Sequence, residues 1–235
     1  LRCKTKSVSR NGSRIFGFYI MGFVEGRLVD PVQRKTYGAR VVWSDAGKIT
    51  AVEPKNDAGP DFILPGFVDS HVHIESSMLP PAEFARVAVS HGSLAAVVDP
   101  HEIANVLGRD GVMWMIDQAR QTPFVFGFGV PSCVPSTPFE TSGAVLDSAS
   151  VAKLLALPEV SPLSEVMNVP AVLTGDRDMR DKLDAARRAG KPIDGHSPGL
   201  AGKDLLRYVE AGISTDHECV SLEDARNKLA AGMSV

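Results

Sequence analysis

The sequence predicts a parallel α/β fold of the (β/α)₈ type, incomplete at about six strand–helix units, behind a small N-terminal β-rich segment. Three observations predict it. From about Phe67 onward, short apolar runs alternate with segments of helical periodicity, which implies a parallel sheet with crossover helices. Almost every apolar run ends in histidine or a carboxylic residue, as expected where strand C-termini converge on one mouth. Residues 1–64 instead carry strand-like runs broken by turn signals, with little helical period.

The boundary is therefore placed between a β-rich segment, 1–64, and a partial barrel, 65–235. In the first, "RIFGFYIMGFVEGRLVD" and "GARVVWSDAGKITAVEP" read as strands, and "DAGK" and "NDAGPD" are turn signals. In the second, "GFVDSHVH" precedes the helix "PAEFARVAVSHG", and "LAAVVDPHE" precedes "NVLGRDGVMWMIDQAR". "FVFGFGVPS" is followed by "SASVAKLLALPE", and "SEVMN" by "DRDMRDKLDAARRAG". The last two units pair "PIDGHSP" with "KDLLRYVEAG" and "ISTDHE" with "SLEDARNKLAAG".

The helices carry their own punctuation. Ser221 is a predicted N-cap with Glu223 and Asp224 in the first turn, and Gly232 suits the stop. Leu222, Ala225 and Leu229 share one face, the expected buried one. Asp176 opens the helix that ends with Arg187, Arg188 and Gly190.

Composition narrows the function class. The chain has 235 residues, 44% hydrophobic and 23% charged, with a formal net charge of −3. So mild a balance gives no reason to expect nucleic acid or an anionic membrane as partner. Cys3, Cys133 and Cys219 are too few and scattered for a disulfide framework or a cysteine zinc site, which points to a reducing, cytoplasmic setting. No apolar run approaches the roughly 20 residues of a membrane span, and no signal peptide is read at the basic start, which lacks an initiator Met.

The strand-end residues suggest chemistry. They are Asp69, His71 and His73; Asp99, His101 and Glu102; Ser132 and Cys133; Glu165 and Asn168; His196; and Asp216, His217 and Glu218. Five of the six histidines are among them, and His91, within a helix, is not. Side chains two apart on a strand point the same way, so His71 and His73 both face the mouth. With His196, His217 and Glu165 they form a candidate metal set of nitrogen and carboxylate donors, which suits zinc, iron or manganese. Asp99 has a competing use as a helix cap, with Pro100 opening the helix.

"LPGFVDSHVHIESSM" resembles the entry to the amidohydrolase superfamily. "VVDPHEIANVLG", "PSCVPSTPFETSGA" and "DGHSPGLAG" resemble the adenine deaminase family, over almost the whole chain from about residue 25. The resemblance implies a metal-dependent (β/α)₈ barrel with a small β-sandwich, converting adenine to hypoxanthine and ammonia through a metal-activated hydroxide. It implies that His71 and His73 are first-strand ligands, that Glu165 bridges two metals, and that His196 and His217 are ligands from the fifth and sixth strands. It favours a binuclear divalent centre of manganese or iron, a small purine as partner, and a homo-oligomer at full length. Asp99, His101 and Glu102 are then the candidates for proton transfer or substrate contact.

Against that family pattern the six strands stop at "AGMSV", where Met233 to Val235 read as the start of a seventh. The eighth-strand aspartate expected to move the proton lies outside these residues, so the chain reads as part of a longer enzyme, expected to be inactive and self-associating alone. Two alternatives stand beside this reading: a dihydroorotase- or hydantoinase-like hydrolase of cyclic amides, and an inactive metal-binding fragment.

Overall fold

The computed structural model describes residues 22–137 and 139–235, and divides into two compact units between Gly66 and Phe67. Residues 14–21 of the first predicted strand lie outside the described residues.

The first unit is a four-stranded sheet in the order β3-β2-β1-β4. It comprises β1 (Gly22–Asp30), β2 (Lys35–Trp43), β3 (Ile49–Pro54) and β4 (Phe62–Ile63). β1, β2 and β3 run antiparallel as a meander, and β4 joins β1 in parallel. Across β1 and β2, the Glu25 carboxylate takes Arg40 at 2.7 Å and Lys55 at 2.6 Å. These two cations hold its carboxyl below the usual range. Gly38 is required where β2 passes β3, because a Cβ there would lie 2.1 Å from the Lys55 carbonyl oxygen.

The second unit carries the predicted six-stranded parallel sheet, curled into a half-barrel. Its strands are β5 (Phe67–Val72), β6 (Ser93–Val98), β7 (Val125–Pro131), β8 (Val160–Val166), β9 (Ile193–Gly195) and β10 (Thr215–Asp216). Each pairs with its successor, so the spatial order follows the sequence order without the reversal of a doubly wound sheet. The connecting helices are α1 (Pro81–Ser90), α2 (His101–Ala119), α3 (Ser148–Leu155), α4 (Val169–Thr174), α5 (Arg177–Arg188), α6 (Gly202–Glu210) and α7 (Leu222–Ala230). One core joins the strand residues Val98, Phe128, Val130 and Leu163 to Met115, Ile116, Leu154 and Leu183 from the helices. Beyond β10, Ser234 pairs in parallel with Thr215, the start of the seventh strand read from the sequence.

The local signals hold where they are local. Asp176 and Ser221 accept hydrogen bonds from Met179 N–H and Asp224 N–H as N-caps, and Gly190 and Gly232 take positive φ after their helices.

Three expectations are corrected. α2 begins at His101, so His101 and Glu102 lie in its first turn rather than on a strand end. Pro100 has no N–H for the ladder, and the strand closes at Val98. On α7, Leu222 and Leu229 are 68% and 54% exposed, and the buried positions are Asp224 and Lys228. Lys228 is drawn inward by Asp216 at the end of β10 and by Asp224 on the same helix. Finally, His91 is the residue after α1 rather than a helical one.

Candidate metal centre

One carboxylate organises the strand ends. Glu165, near the end of β8, is buried and has a positive φ of 44°. Non-glycine residues seldom adopt that backbone, and such strain concentrates at functional sites. It is braced from both neighbours: the Glu165 carbonyl oxygen accepts the Ser132 hydroxyl at 2.7 Å and Met167 N–H at 2.6 Å. Lys182 of α5 is itself buried, and donates to the Ser132 carbonyl at 3.0 Å.

Four imidazole nitrogens face one oxygen of this carboxylate. Glu165 Oε1 lies 2.9 Å from His217 Nε2, 3.3 Å from His196 Nδ1, and 3.4 Å from both His71 Nε2 and His73 Nε2. His71 Nε2 and His73 Nε2 are 3.1 Å apart, so the alternation of the strand does bring both rings to one point. A carboxylate oxygen has two lone pairs and cannot accept from four donors. Hydrogen bonding therefore leaves the set unsatisfied, and a cation amid these nitrogens would satisfy it.

The outer nitrogens are held in turn. His73 Nδ1 bonds the Asp99 carbonyl at 3.0 Å and faces Glu102 Oε2 at 3.2 Å. His217 Nδ1 lies 3.0 Å from Asp194 Oδ2, and His71 Nδ1 lies 3.5 Å from the same oxygen. The His71 and His217 rings stack with centroids 3.5 Å apart. Carbonyl and carboxylate partners on the far nitrogen are how metal-ligating histidines are oriented. His101 Nδ1 is shared between Asp99 Oδ2 at 2.7 Å and Glu165 Oε2 at 3.2 Å. The Asp99 carboxylate thus turns to His101, and no side chain caps α2.

The chain has relatives among known proteins. The family model described as "Amidohydrolase family" matches residues 62–234. The chain belongs to the amidohydrolase family. Its curated relatives include proteins named adenine deaminase from Salinibacter ruber, 53% identical over 90% of this chain, and from Methanosarcina mazei, 51% identical over 89%. The chain spans 39% and 38% of the length of those two relatives. Among solved structures, the N-acetyl-D-glucosamine-6-phosphate deacetylase of Mycobacterium smegmatis superposes with a TM-score of 0.54 at 16% identity. That match covers 83% of this chain and 59% of the deacetylase, and the likeness is one of fold.

The electrostatics of this amidohydrolase fit a cation site. Burial alone would raise the Glu165 carboxyl, yet the facing histidines hold it far below the usual carboxylate range. Asp194 behaves alike: burial pulls it up, and His217, His71 and Thr215 take it well below its ordinary value. The histidines move the other way. Glu102 and Glu165 raise His73 to about 11. Burial lowers His101 and His217, but Asp99 with Glu165, and Asp194 with Glu165, raise them to about 10 and about 9.

All eight residues selected from the sequence meet in this cluster: Asp99, His101 and Glu102 with His71, His73, Glu165, His196 and His217. Asp194 was missed. The same two-residue alternation that paired His71 with His73 also pairs Asp194 with His196 in "DGH", and that signal was available. Tyr208 of α6 was missed too. Its hydroxyl donates to the Val166 carbonyl at 2.5 Å and accepts His196 N–H at 3.1 Å, tying the end of β8 to the β9 histidine.

Proposed function

We propose that this amidohydrolase chain supplies the metal centre of an adenine deaminase, which releases ammonia from adenine to leave hypoxanthine. The observation that carries the reading is the convergence of four histidine nitrogens within 3.4 Å of Glu165 Oε1. Its substrate rests on the half-identical relatives that bear the name adenine deaminase.

His71, His73, His196 and His217, with Glu165, would hold divalent metal. The donor types suit manganese or iron, and zinc is compatible. Bound there, the metal supplies a nucleophile from water at neutral pH by lowering the water pKa from about 15.7 to near 7. The rest falls to the chain. Asp194 fixes the rings of His71 and His217 through their far nitrogens. His101, between Asp99 and Glu165, is placed to hold a proton beside the reacting centre. Its Nε2 and Asp99 Oδ1 are buried with no hydrogen-bond partner among the described residues. Glu102, half-exposed, holds His73 from the solvent side.

The test is a substrate panel on the protein at its natural length, loaded with manganese or iron. Ammonia release from adenine, and no ring opening of dihydroorotate or hydantoin, is the expected result. Turnover of the cyclic amides without adenine would replace the reading.

A further inference from the structure

A buried ion network lies behind the two histidine-bearing loops, outside the metal cluster. Lys228 of α7 is fully buried. Its Nζ lies 3.2 Å from Asp216 Oδ1 and 3.4 Å from Asp224 Oδ1, and donates to the Glu218 carbonyl at 3.2 Å. Asp216 Oδ2 accepts Ser197 N–H at 2.9 Å and the Ser197 hydroxyl at 2.5 Å, while Oδ1 accepts Glu218 N–H at 2.8 Å. Asp224 Oδ2 accepts Gly199 N–H at 3.0 Å and Val220 N–H at 3.1 Å.

These bonds end beside the ligands. Ser197 follows His196, and Asp216 and Glu218 flank His217. A buried ammonium is costly unless it is paired and hydrogen-bonded, and an apolar residue in its place is often as stable or more so. α7 nevertheless turns Asp224 and Lys228 inward. We propose that Lys228 and Asp216 are positioning residues, a clamp that sets where His196 and His217 stand at the metal centre. The proposal rests on reading those two histidines as ligands.

The test uses the protein at its natural length with manganese as the probe. Manganese affinity is measured well below each variant's melting temperature, where a purely structural role leaves it unchanged. Lys228→Met is expected to weaken binding about 10-fold or more, the scale of lost outer support at metal sites. It should also shift the visible absorption of the cobalt-substituted protein. Ser197→Ala removes one hydroxyl and leaves the ion pairs, and is expected to weaken binding in the same direction but less. His217→Ala serves as reference. If it keeps its manganese, the ligand reading and the clamp both fall. If it loses manganese while folded Lys228→Met and Ser197→Ala bind like the parent, the clamp alone is overturned. Should Lys228→Met not fold, Ser197→Ala decides by the same criterion.

Discussion

Neutralising Asp194 should weaken metal binding in a pH-dependent way. In Asp194→Asn, the oxygen 3.0 Å from His217 Nδ1 and 3.5 Å from His71 Nδ1 loses its charge, although an acceptor remains. A hydrogen bond to a charged group contributes about 1.5–3 kcal/mol, and carboxylates behind ligating histidines tune affinity about 10–100-fold. The two estimates agree, since about 1.4 kcal/mol corresponds to tenfold. The pH dependence follows from the histidines. Burial lowers His71 and His217, but Asp194 with Glu165 raises both, so removing its charge lets them shed protons sooner. Protons then compete less with metal in the variant at low pH. The affinity loss should therefore be largest near pH 8.5 and shrink toward pH 6.5. The assay is manganese affinity by chelator competition at both values. Equal affinities at pH 8.5, or a loss that grows as pH falls, would refute the reasoning.

Metal-free protein should show a distinctive pH profile. His217, His101 and His73 are raised to about 9, 10 and 11, so the stability they add is full below pH 6.5, their ordinary value, and is lost as pH rises through 9–11. Thermal melts with a chelator should fall over that range, and melts with excess manganese should resist the fall. Glu165→Gln or His71→Ala should remove most ammonia release and weaken metal binding; unchanged metal content and rate in both would sink the ligand assignment. Tyr208→Phe removes the hydroxyl that bridges Val166 O and His196 N–H, leaving two buried groups unpaired, and should cost about 1–3 kcal/mol by denaturant titration. Gly195→Ala would place a Cβ 2.8 Å from both Ile213 Cγ2 and the Thr215 carbonyl oxygen; a loss of about 1–3 kcal/mol is expected, and an unchanged melting temperature would contradict that packing.

What the sequence determined by itself was whatever depends on near neighbours along the chain. The alternation of apolar runs and helical periods specified a parallel sheet, because those periods report which face of each element avoids water. The caps Asp176 and Ser221 and the stops Gly190 and Gly232 act within one turn, and each was legible. His71 and His73 were legible as a pair because strand alternation places them together. The tertiary structure decided the rest. It chose Asp194 as the shared partner of His71 and His217, whose strands lie at opposite edges of the six-stranded sheet. It placed His101 and Glu102 on a helix rather than a strand. It also turned Lys228 of α7 inward, to meet Asp216 at the end of β10 and Asp224 on its own helix. Hydropathy scores a lysine as a surface residue, since an unpaired ammonium belongs in water. Asp216 at the end of β10, Asp224 one turn earlier on the helix and the Glu218 carbonyl supply the partners that let it be buried.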